Sequence, residues 1–302
     1  MESYEVKSMP VSYSRRIKIS FCTVAMEITE DVKKSVESIM SIAEEIGYPY
    51  ELIVSTHEIV NFRSENIEFI NTKFSTYGAG KQLAFLKSTG DILIIFNPHI
   101  KYGPEISDII HNFLKKQEKK VLISDIMIIP RDLIHRSGGW RNLREYEDID
   151  LLARIIQIGS LIAFPSYHYD SIEYRNKGKR TAIERIRDFR DAIIGANYDF
   201  RDINILHIEP HYISYVAFII SKFSGLKPFK HSYKKNRTNN KIIVMESIVE
   251  SLVLKDYENY YIPESIPKLL ISRDEINYME KRSKLWRNIN KSIAGIIQEN
   301  DE

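Results

Sequence analysis

Between residues 17 and 129, short apolar, β-rich runs alternate with segments whose apolar residues recur at spacings of three and four. That alternation leaves few folds open to the chain. Ile17 to Met26, IKISFCTVAM, reads as a buried strand. Thr29-Glu30-Asp31 opens a helix with Val32, Val36, Ile39, Met40, Ala43 and Ile46 on one face, and Gly47 closes it. Strands are predicted at Glu51 to Ser55 and at Ile67 to Ile70, and a helix at Lys81 to Lys87, closed by Ser88-Thr89-Gly90. The strongly apolar strand DILIIF, Asp91 to Phe96, follows, then a helix at Glu105 to Lys116 and a strand at Val121 to Ile129. Strands alternating with helices predict an α/β fold, Rossmann-like, with a mainly parallel sheet flanked by helices. Right-handed crossovers bring the loops after the strands to one edge, where ligands of such sheets bind. The loops starting at Thr23, Ser55, Asn71 and Asn97 are therefore the places to look for a site.

The second half reads differently. Arg180 to Ile194, Tyr212 to Phe223, Ile242 to Leu254 and Glu275 to Ile297 are helix candidates. Lys227 to Lys241, KPFKHSYKKNRTNNK, is basic and poor in apolar residues, so it reads as a loop or linker. The expected division is residues 1–169 as a ligand-binding domain and 170–302 as a mostly helical extension. Hydrophobic residues make up 43% of the chain, enough to bury a sizeable core. Lys plus Arg number 43 against 41 Asp plus Glu, which gives no global reason to expect nucleic acid as a partner. The single cysteine, Cys22, permits neither an internal disulfide nor a Cys-rich metal site. With no signal-peptide pattern at the N-terminus, a cytoplasmic setting is expected. The apolar run Tyr212 to Phe223 falls short of the roughly 20 residues of a spanning helix. It reads as a buried helix, or as a membrane-surface helix giving peripheral contact through the basic C-terminal half.

Two longer stretches carry a resemblance. YGAGKQLAFLKSTGDILIIF, Tyr77 to Phe96, is followed after a break at Asn97 by RSGGWRNLREYEDIDLLARIIQIG, Arg136 to Gly159. In that order, behind the opening strand and helix, they resemble the family 2 glycosyltransferases of the GT-A fold over Ile17 to Pro165. The second stretch looks like the family's paired glycines, aromatic and Glu-Asp signature. The resemblance implies an inverting transfer of a sugar from a nucleotide-sugar donor to an unknown acceptor: a glycan, a lipid phosphate or a protein. Asp148 would be the base that takes the acceptor's proton, with Glu147 beside it. Gly138, Gly139 and Trp140 would lie around the sugar, and Thr23, Ser55, Lys81 and Asn97 on the donor side.

One departure bears on cofactors. Where the family carries Asp-x-Asp to hold a divalent cation on the diphosphate, this chain has Asn97-Pro98-His99. Magnesium prefers carboxylate oxygens, whereas manganese accepts imidazole more readily, so His99 is the candidate ligand for Mn2+ or Mg2+. Metal-independent transfer is the competing expectation, and a strand-ending turn the plainest one. Each residue also has a structural reading. Glu147, Asp148 and Asp150 would suit a helix N-terminus by charge alone. Gly138-Gly139-Trp140 would suit a turn beside a core tryptophan, and Lys81 a solvated surface. His207, His211 and His231 lack metal-ligand spacing. The basic stretch Tyr174 to Arg180 suits phosphate or an anionic membrane, or a solvated loop. A catalytically silent protein of the same fold, binding a nucleotide sugar, a glycan or a partner protein, is the alternative to an enzyme. A nucleotidyltransferase would want a Gly-rich loop after the first strand, and none follows Thr23.

Overall fold

The computed structural model describes residues 17–60, 65–116, 119–163, 181–200, 202–203, 211–223, 239–253, 269–271 and 297–299. Its centre is β1 (Ile19–Ala25), in which all seven residues are buried. Parallel neighbours lie on both sides of it: β2 (Tyr50–Thr56) and β4 (Ile92–Phe96). β3 (Ile67–Asn71) extends the sheet beyond β2. On the other side come β6 (Ile126–Pro130), β5 (Lys120–Ile123) and β7 (Ser160–Ala163), giving the order β3-β2-β1-β4-β6-β5-β7. Only β6 of the seven runs antiparallel. The sheet is thus the mainly parallel one that the alternation predicts. The chain moves outward from β1 through β2 and β3, then returns to lay β4 on the other side of β1. A crevice opens at such a reversal.

Four helices belong to the first half of the sheet. α1 (Glu30–Ile46) is capped by Thr29, whose side chain accepts from Val32 N, and ends on Gly47 at φ 71°. α2 (Tyr77–Lys87) packs on β1 and β2, and α3 (Glu105–Lys116) packs on α1. α4 (Arg131–Ser137) follows β6 directly. α5 (Glu147–Ile155) precedes β7. Beyond it lie α6 (Ala182–Ala196), α7 (His211–Phe223) and α8 (Asn240–Val253), with a two-stranded sheet of β8 (Leu269–Ile271) and β9 (Ile297–Glu299). α8 covers β7 and α5, and Ala163 N donates to Ser251 Oγ at 3.0 Å. The helical extension therefore packs directly on the sheet. The boundary expected at residue 169 falls outside the described residues, as do positions 227–238 of the basic stretch and the body of the helix expected at 275–297.

Three local differences from the sequence reading have physical causes. The strand expected at Val121 to Ile129 is a hairpin: Ser124-Asp125 interrupts the apolar run, and Ser124 N turns back onto Ile126 O at 2.8 Å. α2 begins four residues before Lys81, because Thr76 caps it by accepting from Ala79 N. β7 and α4 are four and seven residues long, too short for periodicity to register.

At the edge of the sheet where the parallel strands begin, a carboxylate ties three of them together. Glu51 of β2 accepts from Lys18 Nζ at 2.7 Å, from Ser20 Oγ at 2.6 Å, and from the backbone of Thr89 and Gly90 at the entry to β4. A side chain at Gly90 would lie 2.4 Å from Ser20 Oγ, so the Ser-Thr-Gly-Asp stretch serves strand packing. Burial alone would raise the Glu51 pKa; the hydrogen bonds from Lys18, Ser20 and Thr89 outweigh it and bring the group down to about 2. A carboxylate depressed in the folded state contributes stability above its unfolded value of about 4.3. That contribution is lost as pH falls toward 2. Glu51→Gln is expected to lower the unfolding free energy by roughly 2 kcal/mol at neutral pH. In urea titrations the gap between the two proteins should narrow steadily below about pH 4.5.

Candidate functional site

A cavity of ≈ 880 Å³ opens over the carboxyl ends of β1, β4 and β5, at the reversal between β1 and β4. Its floor includes Thr23, Phe96 and Asn97; one wall carries Lys81, Glu147 and Asp148. Thr23 is buried there and spends its hydroxyl on Phe96 O at 2.8 Å, stitching β1 to β4.

Asp148 reaches the cavity because of how α5 begins. Tyr146 takes φ 59°, an uncommon left-handed conformation for a non-glycine, and its carbonyl accepts from Asp150 N at 2.9 Å. Gly195 of α6 lies so close that a Cβ would meet Tyr146 at 2.9 Å, and the Tyr198 ring packs edge-on at 5.8 Å. This sharp entry projects Glu147 and Asp148 at the positive end of α5, where carboxylates are favoured. Asp148 is about one third exposed. One of its oxygens accepts from Trp140 Nε1 at 2.9 Å, the other from Lys81 Nζ at 2.5 Å.

Lys81 is held opposite by two glycines. A Cβ on Gly78 would strike Arg141 O, and one on Gly80 would lie 2.8 Å from a Val24 methyl. The Tyr-Gly-Ala-Gly-Lys sequence thus lets α2 slide between β1 and the 141–143 loop. Lys81 then meets Glu147 at 3.1 Å as well as Asp148. Burial would lower the Lys81 pKa, but the charges of Asp148 and Glu147 outweigh it and hold the ammonium above its ordinary value. Lys81 is therefore a half-buried, paired cation and not a solvated surface group. Ser55 does not line the cavity; its hydroxyl donates to Gly80 O at 3.0 Å and anchors the same helix.

Gly138, Gly139 and Trp140 lie behind the wall. Trp140 is 3% exposed and packs at a tilt near Phe85, so its ring offers no face to a sugar. Gly138 and Gly139 have φ 83° and 71°, and a Cβ on Gly139 would lie 2.3 Å from Gln82 Oε1, which accepts from Trp140 N. The expectation that these three surround a sugar is corrected: the glycines are required by the turn, and the turn places the Trp140 indole N–H on Asp148.

Asp150 is not the surface cap that charge alone suggests. Fully buried, it pairs with Arg141 through both oxygens and with Arg154 Nη2 at 2.8 Å. Arg154 also donates to Ser137 O. The Asp-x-x-x-Arg spacing is an i,i+4 pair on α5 that holds the 137–146 segment from below. Burial pushes the Arg154 pKa down, and Asp150 counteracts that.

The tripeptide in place of Asp-x-Asp forms a turn. Asn97 Oδ1 accepts from His99 N at 3.0 Å, Asn97 N donates to Tyr102 Oη, and Asn97 O accepts from Ser35 Oγ. Asn97 and the exposed His99 both line the cavity. With the amide oxygen committed to the turn, the stretch offers one imidazole and no carboxylate. Among the described residues no group of three or more His, Cys, Asp or Glu is placed to hold a metal ion. The 97–99 turn does not fit a hard divalent cation.

Sequence reasoning missed part of the lining. Asp125 at the hairpin tip, Arg144, and Glu184 and Asp188 of α6 all face the cavity, and Arg144 meets Asp188 at 3.7 Å. The polar break inside Val121 to Ile129 was the signal for Asp125; the others come from elements whose approach no local pattern encodes. Eight acidic side chains line the cavity against two basic ones, Lys81 and Arg144, among the described residues. The basic stretch 174–180 lies outside the described residues.

No protein-family model matches the chain, and no curated protein matches its sequence. Similar solved structures include a mannosyltransferase from Pyrobaculum calidifontis in complex with GDP-Man and Mn2+. It is 11% identical, with a TM-score of 0.45, over 81% of this chain and 76% of that one. TarS 1-349 from S. aureus in complex with UDP-GlcNAc is 10% identical, with a TM-score of 0.42, over 92% of each chain. The catalytic domain of Drosophila beta1,4galactosyltransferase 7 in complex with xylobiose is 11% identical, with a TM-score of 0.34, over 49% of this chain and 64% of that one.

Breaking the buried pair under the site has a defined cost. Asp150→Asn leaves two guanidinium groups without their counter-charge and is expected to lower stability by about 3–5 kcal/mol in urea unfolding. Gly139→Ala forces a side chain into a positive φ and onto Gln82, and should lower the thermal midpoint measurably, whereas His99→Ala should leave it unchanged.

Proposed function

We propose that the protein transfers a sugar from a nucleotide-sugar donor to an acceptor hydroxyl, with inversion, in the cavity over β1 and β4. One observation carries this reading: a partly exposed carboxylate, Asp148, stands on the wall of a cavity at the sheet's reversal, oriented by Trp140 and Lys81. An acceptor hydroxyl attacking an anomeric carbon must lose its proton, and a carboxylate within hydrogen-bond reach takes it. Lys81 sets a positive charge 2.5 Å from one oxygen of Asp148. The Trp140 N–H fixes the carboxylate's rotation, so that the oxygen facing the cavity keeps one direction. Glu147, nearly buried, shares Lys81 and tempers its hold on Asp148. Thr23 and Asn97 form the floor on which the donor lies. No step passes through a metal ion, because the 97–99 turn supplies no carboxylate.

The acidic lining favours a second reading. Lys81 is committed to two carboxylates, and a diphosphate entering this cavity meets more negative than positive charge among the described residues. A silent protein of the same fold, which binds a glycan or a partner without transfer, accommodates that charge without further assumption.

Thermal-shift titration with UDP-GlcNAc, GDP-Man and other nucleotide sugars separates the readings. A donor at a hundred times its dissociation constant should add about 2.7 kcal/mol of stability, in EDTA as in Mn2+. If no nucleotide raises the midpoint, the donor site is lost and the silent reading stands. Asp148→Asn should cut turnover by roughly 10²- to 10⁴-fold while donor binding stays near that of the native chain. Trp140→Phe, which removes the N–H on Asp148 and also leaves a void where the larger indole is buried, should lower the thermal midpoint and slow turnover about tenfold with little change in donor affinity. Unchanged turnover in Asp148→Asn excludes it as the base.

A further inference from the structure

Two cations line the cavity among the described residues, and they are held differently. Lys81 Nζ lies 2.5 Å from Asp148 and 3.1 Å from Glu147, and its side chain is 14% exposed. A phosphate reaching Lys81 must displace two carboxylates from one ammonium. Arg144 stands just before α5, and its side chain is 36% exposed. Among the described residues its guanidinium meets one carboxylate, that of Asp188 on α6, with Nη1 3.7 Å from Oδ1. That exceeds the ~2.7–3.2 Å of a hydrogen bond, so the pair is a loose one.

The backbone beneath Arg144 is not loose. Arg144 N donates to Asp191 Oδ2 at 3.1 Å. Asp191 is fully buried in α6, and its other oxygen accepts from Arg190 Nε at 2.8 Å and Nη2 at 2.5 Å. One carboxylate of α6 thus fixes where Arg144 starts. The other, Asp188 on the cavity lining, holds the guanidinium there without engaging it closely. A diphosphate entering this cavity needs counter-charge. The 97–99 turn supplies no carboxylate to hold a cation against it, so the task falls to side chains. A guanidinium presents paired N–H groups in one plane, which match two phosphate oxygens. We infer that Arg144 binds the diphosphate of the ligand, exchanging Asp188 for phosphate oxygens as the ligand enters. The diphosphate is that of the nucleotide-sugar donor proposed above, so the ligand's identity rests on that reading. Asp188 competes with the ligand for the same guanidinium and sets how tightly it binds.

Isothermal titration of the full chain with inorganic pyrophosphate, in EDTA, tests the cation directly. Parallel titrations with UDP-GlcNAc and GDP-Man test the donor. Arg144→Gln should weaken pyrophosphate binding at least ~tenfold. Its thermal midpoint should stay unchanged, because the bond to Asp191 uses the backbone of residue 144 and persists. Arg144→Lys keeps the charge but not the fork, and should recover only part of the loss. Asp188→Asn releases the guanidinium and should tighten pyrophosphate binding about threefold. That gain should largely vanish when Arg144 is already Gln, since it acts through the guanidinium. Pyrophosphate binding that ignores Arg144→Gln overturns the inference, as does a native chain that binds no pyrophosphate. A nucleotide sugar that binds the native chain and Arg144→Gln equally overturns it while the donor reading survives. Arg144-dependent binding of pyrophosphate, with no nucleotide sugar bound, supports the inference and sinks the donor reading.

Discussion

Asp150 sits in the interior with a guanidinium on either side, and the geometry of the site depends on it. A lone carboxylate buried to that degree is costly; paired with Arg141 and Arg154 it becomes a rigid joint. Arg154 belongs to the same helix one turn on, while Arg141 belongs to the loop that follows the paired glycines. The joint thus clamps that loop to α5. Two parts of the cavity wall are mounted on the clamped pieces: the indole that aims Asp148 comes from the loop, and Asp148 itself from the first turn of the helix.

The same economy of parts runs through α2. Gly78 and Gly80 admit the helix between β1 and the clamped loop, Ser55 ties it to β2, and Lys81 completes the cluster with Glu147 and Asp148. A cation so enclosed is neutralised by its own wall and has little charge to lend a diphosphate. That leaves a cavity of ≈ 880 Å³ at the sheet's reversal whose lining, among the described residues, carries more negative than positive charge, and this imbalance is the main physical fact about the site. The 97–99 turn sharpens it, because the position where carboxylates would recruit a cation is folded onto itself through Asn97 and His99.

A second organising element is α6. Its capping box at Thr181 and Glu184 starts it at the cavity rim, Gly195 presses on Tyr146 to set the strained entry of α5, and α7 rests on it with an apolar stripe turned outward. One helix therefore connects the carboxylate's placement, the acidic wall and the exposed apolar face of α7.

The sheet was legible in the chain because a parallel sheet buries its strands on both faces, and continuous apolar runs such as DILIIF announce that burial without reference to anything distant. Helix α1 was equally plain, from its periodicity and from Thr29 and Gly47 at its ends. The resemblance to a glycosyltransferase signature singled out Asp148, Glu147 and Lys81, and these three do meet at the cavity. What the chain could not disclose were relations between segments far apart in sequence. Asp150 looks like an N-terminal helix charge until Arg141 folds over it. Trp140 looks like a platform for a sugar until the core closes around its ring. Val121 to Ile129 looks like one strand until Ser124-Asp125 turns it back. Local patterns encode which surfaces must leave water, whereas pairing, orientation and enclosure depend on which surfaces they meet, and only the packed structure decides that.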